Sequence, residues 1–133
     1  MDDPLPWLVA DPRAVEIVVH DHGWLRILDV PAALQARTYA ATAEVVLRVE
    51  DPLGFAEGTW RVTIDADGTA WVEPSDAEPD VSLSVVELSA AYAGGVPLTQ
   101  LAAAGRVQGV ADAVTALSRA FLTDPAPLLG IWY

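Results

Sequence analysis

The spacing of apolar residues changes once along this chain, and that change most constrains what it can fold into. In the runs between Ala43 and Glu73 apolar side chains alternate with polar ones, whereas from Ser84 to Leu122 they recur every third or fourth position. Alternation is the period of a strand with one dry face, and the longer spacing is that of a helix with one apolar stripe. In "TWRVTID" (59–65), Trp60, Val62 and Ile64 face one way while Arg61, Thr63 and Asp65 face the other. "DADG" (65–68) is a turn whose Asp67-Gly68 pair suits a two-residue hairpin connection, and "TAWVE" (69–73) pairs back. "AEVVLRVE" (43–50) reads as another strand. Upstream, in "VEIVVHDHGWLRILDV" (15–30), Val15, Ile17 and Val19 alternate with Glu16 and His20, and Leu25 and Ile27 with Arg26 and Asp29. The spacing predicts a hairpin closed by "DHG", for five strands in all, mostly antiparallel.

The helical half begins after the acidic loop "EPSDAEPD" (73–80). Ser84 and Glu87 form an S-x-x-E capping box, which satisfies the free backbone donors of a helix start. That helix runs to about Ala93 and stops at Gly94-Gly95. "PLTQLAAA" (97–104), closed by Gly105, is a second helix, and a third spans about 110–122 with Val110, Val114, Leu117 and Phe121 on one stripe. "PAALQAR" (31–37) is a short helix with Pro31 in its first turn, and the proline-rich opening (2–14) allows only short helical turns. Strands first and helices last define an α+β domain, with helices covering one face of a five-stranded sheet. The 133 residues form one domain, 1–133, with a lead-in over 1–14 and a tail over 123–133.

Charge and composition exclude several functions. Nineteen acids against seven arginines give a net charge of −12, a field that repels phosphate backbones and attracts cations, so no nucleic-acid partner is expected. The chain has no cysteine, hence no disulfide framework and no thiolate chemistry. "MDDPLPWL" places acids where a signal peptide needs basic residues, and no apolar run approaches a membrane span. A cytoplasmic protein is expected.

Catalytic motifs are sparse. His20 and His22 flank Asp21, but a metal site needs at least three ligands and there is no further histidine, so "HDH" reads as a solvated turn and no metal is expected. No G-x-S-x-G elbow, P-loop or G-x-G-x-x-G occurs. "RVQGVA" (106–111) fits the R/Q-x-x-G-x-G/A pattern by which N-acetyltransferases hold the pyrophosphate of acetyl-CoA. That pattern works only where a strand leads into a helix start with N–H groups aimed at phosphate. Here it follows the helix-ending Gly105, and coincidence is the reading. The tail "DPAPLLGIWY" (124–133) ends on Ile131, Trp132 and Tyr133. Ordering a chain end costs entropy that burial must offset, so the tail is either a packing strap or an end with a particular place to occupy.

Four segments in order carry a family resemblance: "DPLPWLVADPRAVEI", "GWLRILDVPAALQARTYA", "LSVVELSAAYAGGVPLTQLAAAGRV" and the aromatic-ended "DPAP…IWY". Together they resemble the last third of enhanced-intracellular-survival (Eis)-type N-acetyltransferases, a sterol carrier protein-like domain that follows acetyltransferase folds of the GNAT kind. The resemblance implies an accessory domain, inactive alone, whose partner is the acetyltransferase domain of the same protein and whose assemblies are homo-oligomeric. It implies that the main-chain carboxylate of Tyr133 enters the acetyltransferase active site as general base. It implies acceptor-binding roles for Asp29 and for Trp132, although some relatives carry an acid next to the end, and Trp132 there points away from aminoglycoside-type acceptors. No cofactor site is expected within this chain, acetyl-CoA belonging to the parent enzyme. The alternative is a stand-alone carrier that holds a lipid or sterol between sheet and helices.

Overall fold

The computed structural model describes residues 4–16, 18 and 23–127. The lead-in forms one helical turn, α1 (Leu5–Leu8), and a 3-10 turn over Pro12–Ala14. Next comes α2 (Val30–Gln35), started by Asp29, whose carboxylate accepts from Ala32 N at 2.9 Å. Three strands follow: β1 (Ala43–Glu50), β2 (Gly58–Ile64) and β3 (Ala70–Pro74). Then come β4 (Val81–Ser84), α3 (Val85–Tyr92), α4 (Leu98–Ala103), β5 (Gln108–Gly109) and α5 (Ala111–Phe121).

The sheet order is β3-β2-β1-β4-β5. Only β1 and β4 run parallel, from Leu47 opposite Val81 to Glu50 opposite Ser84, and the other pairs are antiparallel. Alternation decides the dry face: Ala43, Val45, Leu47 and Val49 are buried, as are Val62, Ile64, Val72, Val81 and Leu83 on the neighbouring strands. Against them pack Leu34 of α2, Leu88 and Ala91 of α3, Leu98 of α4, and Val114, Leu117, Ala120 and Phe121 of α5, in one continuous core. The fold is therefore α+β with a five-stranded, mostly antiparallel sheet, as the period change predicts.

Two of the five strands differ from the sequence expectation. Residues 23–29 form no strand; Ile27 N instead donates to Ser89 Oγ on α3 at 3.1 Å, and the Arg26 guanidinium binds Asp51 at 2.5 Å. The segment is thus fixed by side-chain partners on α3 and on the loop after β1. Of the rest of the expected hairpin, Val15, Glu16 and Val18 form no strand either, and Ile17 and residues 19–22 lie outside the described residues. The two remaining strands are β4 and β5. The four residues of β4 end at Ser84, which is also the N-cap of α3, so the strand is masked by the helix signal. β5 is two residues long and lies inside "RVQGVA".

Asp80 organises this edge. Its carboxylate accepts from Val46 N at 2.7 Å, and its carbonyl accepts from Val110 N at 2.9 Å. Gly109 passes so close that a Cβ on it would lie 2.2 Å from the Asp80 carbonyl oxygen, at a φ of 150°. The β2–β3 connection also differs from the two-residue expectation. Asp65 N donates to Thr69 O and Gly68 N to Asp65 O, which leaves Ala66, Asp67 and Gly68 as a three-residue loop with Gly68 at φ 81°. The capping box of α3 is present in both directions. Val110 is the N-cap of α5 and stays exposed, so the buried stripe is Val114, Leu117 and Phe121.

Candidate functional site

The tail leaves α5 at a clasp built by Arg37, which follows α2. Its guanidinium lies 4.7 Å from the ring centre of Tyr39, 4.6 Å from Phe121 and 5.6 Å from Tyr92. It donates to the carbonyl of Tyr92, at the end of α3, and to that of Phe121, at the end of α5, the latter at 2.7 Å. Helix ends leave carbonyls without intrahelical partners and carry partial negative charge, so one planar cation satisfies both. Burial holds Arg37 below the usual guanidinium range, and Tyr39 and Tyr92 pull it back up. Burial also pushes the Tyr39 hydroxyl well above its usual value, against the pull of Arg37. The hydroxyls of Tyr39 and Tyr92 donate to Leu34 O at 2.7 Å and Ala33 O at 2.9 Å, which fastens α2 to the same point.

Beyond the clasp the chain crosses the Gly94-Gly95 turn. Thr123 N donates to Gly94 O at 3.2 Å, and a Cβ on Gly94 would meet Phe121 O at 2.7 Å. A Cβ on Gly95 would lie 3.2 Å from the Pro127 ring. The glycine pair that ends α3 therefore also makes room for the outgoing tail. Trp132 and Tyr133, the two expected site residues of that tail, lie outside the described residues.

Asp29 is exposed and serves as the α2 N-cap. Because α2 has six residues, about 9 Å at 1.5 Å each, Asp29 and the tail exit flank one short helix. Between residues 23–26 and α3 runs an open groove of about 470 Å³, lined by Trp24, Leu25, Arg26, Val85, Val86 and Ser89 among others. Two buried carboxylates fix its surroundings. Asp51 is buried, which raises its pKa, yet N–H bonds from Ala56 and Leu53 and the charge of Arg26 outweigh this and leave it below the usual range. Glu87 behaves alike: burial raises it, and bonds from Ser84 and Arg106 bring it below normal.

The acetyl-CoA pattern meets one of its physical requirements and fails the other. A strand does lead into a helix here, but Val110 N is taken by Asp80 O, Arg106 is paired with Glu87, and Asp112 sits in the first turn of α5. A phosphate would meet an acid, so these residues do not fit that ligand. Among the described residues no group of three or more His, Cys, Asp or Glu could hold a metal, and His20–His22 fall outside them. No helix among them is long and apolar enough to cross a membrane.

A family model described as a sterol carrier protein domain matches residues 30–130, from the first residue of α2 to the tail. The chain belongs to that family. Its relatives place this sterol carrier protein domain among those of Eis-type N-acetyltransferases. It is 44% identical over 131 residues to an uncharacterized N-acetyltransferase of Streptomyces coelicolor, covering 97% of this chain and 32% of that one. It is 37% identical over 110 residues to the N-acetyltransferase Eis of Mycobacterium tuberculosis, covering 80% of this chain and 26% of that protein. The crystal structure of Eis1 from Mycobacterium abscessus superposes with a TM-score of 0.82 at 39% identity, over 100% of this chain and 34% of that one. The sterol carrier protein domain described here spans about a third of the length of the curated relatives it matches.

Sequence reasoning missed the Arg37 clasp and the Arg26–Asp51 link. Both join residues distant in sequence, which no local pattern reports.

Proposed function

We propose that this chain is the accessory domain of an amine N-acetyltransferase, without turnover of its own, and that the carboxylate of its last residue, Tyr133, is the general base. The observation that carries the first part is coverage: the whole domain aligns with about a third of Eis1. For the second part the support is the tail itself, clasped at Phe121, steered over Gly94-Gly95 and ending on three large apolar residues.

The chemistry is a proton transfer. An acceptor amine is protonated at neutral pH and must lose a proton before it can attack the acetyl thioester, whose supply and binding belong to the acetyltransferase portion. A chain-end carboxylate has an ordinary pKa of about 3.3–3.7, weak for this task. Seating it beside Trp132 and other apolar groups disfavours its charged form and raises that value. Asp29 and Trp132 would face the acceptor, Asp29 by attraction to its charge. A homo-oligomer and a cytoplasmic location go with this reading.

Appending three residues after Tyr133, in the polypeptide that carries the acetyltransferase portion, tests it: turnover should fall by about 10²–10⁴ if a positioned base is displaced. Unchanged turnover would sink the base role. The carrier alternative has less support, because the apolar faces of α3 and α5 are already packed on the sheet through Leu88, Val114, Leu117 and Phe121. Saturable uptake of a fluorescent fatty acid by the isolated chain would favour it.

A further inference from the structure

Successive contacts fix the direction in which the chain leaves α5. Arg37 holds the Phe121 carbonyl at 2.7 Å, Leu122 N donates to Ser118 O at 3.2 Å, and Thr123 N donates to Gly94 O at 3.2 Å. Four residues further on, the Pro127 ring lies over Gly95. The two glycines are thus each covered by one residue of the outgoing chain, Gly94 by Thr123 and Gly95 by Pro127, whereas Gly54 and Gly105 face open space. The surface under the tail is itself held at both ends. Gly94, at φ 90°, closes α3 with its N–H on Ala91 O, and α4 begins three residues after Gly95 with the fully buried Leu98. Pro125 and Pro127 lock φ along the stretch that crosses it, so a change in direction imposed there is carried onward instead of being absorbed by free rotation. Tyr133 follows six positions after Pro127.

We propose that Gly95 is a positioning residue for the Tyr133 carboxylate, acting through Pro127, an inference that rests on the general-base reading of the tail. The two glycines differ in what they do. Gly94 is required by its own backbone, because its φ is positive and a Cβ would meet Phe121 O at 2.7 Å. Gly95 has no such φ, so alanine is allowed there, and its Cβ would meet only the Cγ and Cδ of Pro127, each at 3.2 Å. Carbon atoms in contact rest about 3.5–4.0 Å apart, so Pro127 would have to give way by about 0.3–0.8 Å. Both residues are exposed, and the fold tolerates this shift while the tail takes it up. The bare backbone at position 95 therefore sets the height at which the tail crosses the turn. A base displaced by about 1 Å loses about 10²-fold in rate, and half that displacement corresponds to about tenfold.

The test is steady-state amine acetylation by the polypeptide that carries the acetyltransferase portion. Gly95→Ala should lower kcat about tenfold with KM for both substrates within about twofold, and with an unchanged melting temperature. In a Pro127→Ala background, which lacks both ring carbons, the same substitution should change kcat by less than about twofold, because nothing is left to push. Gly105→Ala is the structural control: alanine is strained there at φ 75° with open space around it, so the melting temperature falls and kcat holds. An unchanged kcat in Gly95→Ala overturns the proposal. So does an equal loss in the Pro127→Ala background, or a loss that Gly105→Ala reproduces, since stability alone would then govern turnover. A carboxamide in place of the Tyr133 carboxylate separates the positioning role from the base role. Lost turnover in the carboxamide form with normal turnover in Gly95→Ala refutes the positioning role alone. A Pro127-dependent loss in Gly95→Ala beside full turnover in the carboxamide form refutes the base role alone.

Discussion

Removing the Arg37 guanidinium should cost more than any exposed charge in this chain, and the cost can be worked from its contacts. Arg37→Ala deletes two hydrogen bonds from a charged donor, to Tyr92 O and Phe121 O, and contacts with three rings at 4.6–5.6 Å. Hydrogen bonds of this type contribute about 1.5–3 kcal/mol each, and a cation over a ring about 0.5–1 kcal/mol at a partly exposed site. One side chain makes all of them, so they do not add, and half-exposure lets water reach the freed carbonyls. The expected loss is about 3 kcal/mol, or a fall in melting temperature of roughly 10 °C for a domain of this size. Arg37→Lys should recover less than half, because an ammonium cannot hold both carbonyls while lying flat on the rings. Urea unfolding followed by circular dichroism measures both variants. A cost below about 0.5 kcal/mol for Arg37→Ala, the range of ordinary surface changes, would refute the clasp.

Acid should unfold the domain through Asp51 and Glu87, both held below their usual values by partners that folding supplies. Their stabilisation is complete above the ordinary carboxylate pKa of about 4 and is lost as pH falls through the lowered folded values. The slope of stability against pH below about 4 should therefore flatten in Asp51→Asn, as denaturant midpoints across pH will show. Gly109→Ala should cost about 3 kcal/mol or more, since a Cβ 2.2 Å from Asp80 O forces β5 off β4; a neutral change by thermal unfolding would mean the edge is soft. Ser84→Ala should cost about 1 kcal/mol through loss of the α3 cap, measured the same way.

Period and capping made most of the fold legible. The hairpin of β2 and β3 and the capping box of α3 follow from local residues alone, because alternation and S-x-x-E act within a few positions. The segment 23–28 did not, although Leu25 and Ile27 alternate with Arg26. Alternation states which side chains are dry, while the partner here is a serine on α3 and not a neighbouring strand. β5 escaped notice because two residues carry no period, and its pairing depends on Gly109 admitting Asp80. Asp29 and the tail are candidate site residues through resemblance only. The structure adds that Asp29 caps α2 and that the tail exit is clasped, a long-range arrangement with no local signal.

The most direct test of the catalytic tail is to replace the Tyr133 carboxylate with a carboxamide by ligating a synthetic end to the acetyltransferase-bearing polypeptide. The amide keeps the size and shape of the end and removes only its basicity. The account predicts that kcat for amine acetylation falls by about 10²–10⁴ with little change in KM, and that the acidic limb of the pH–rate profile disappears. Equal turnover and an unchanged acidic limb in the carboxamide form would contradict it.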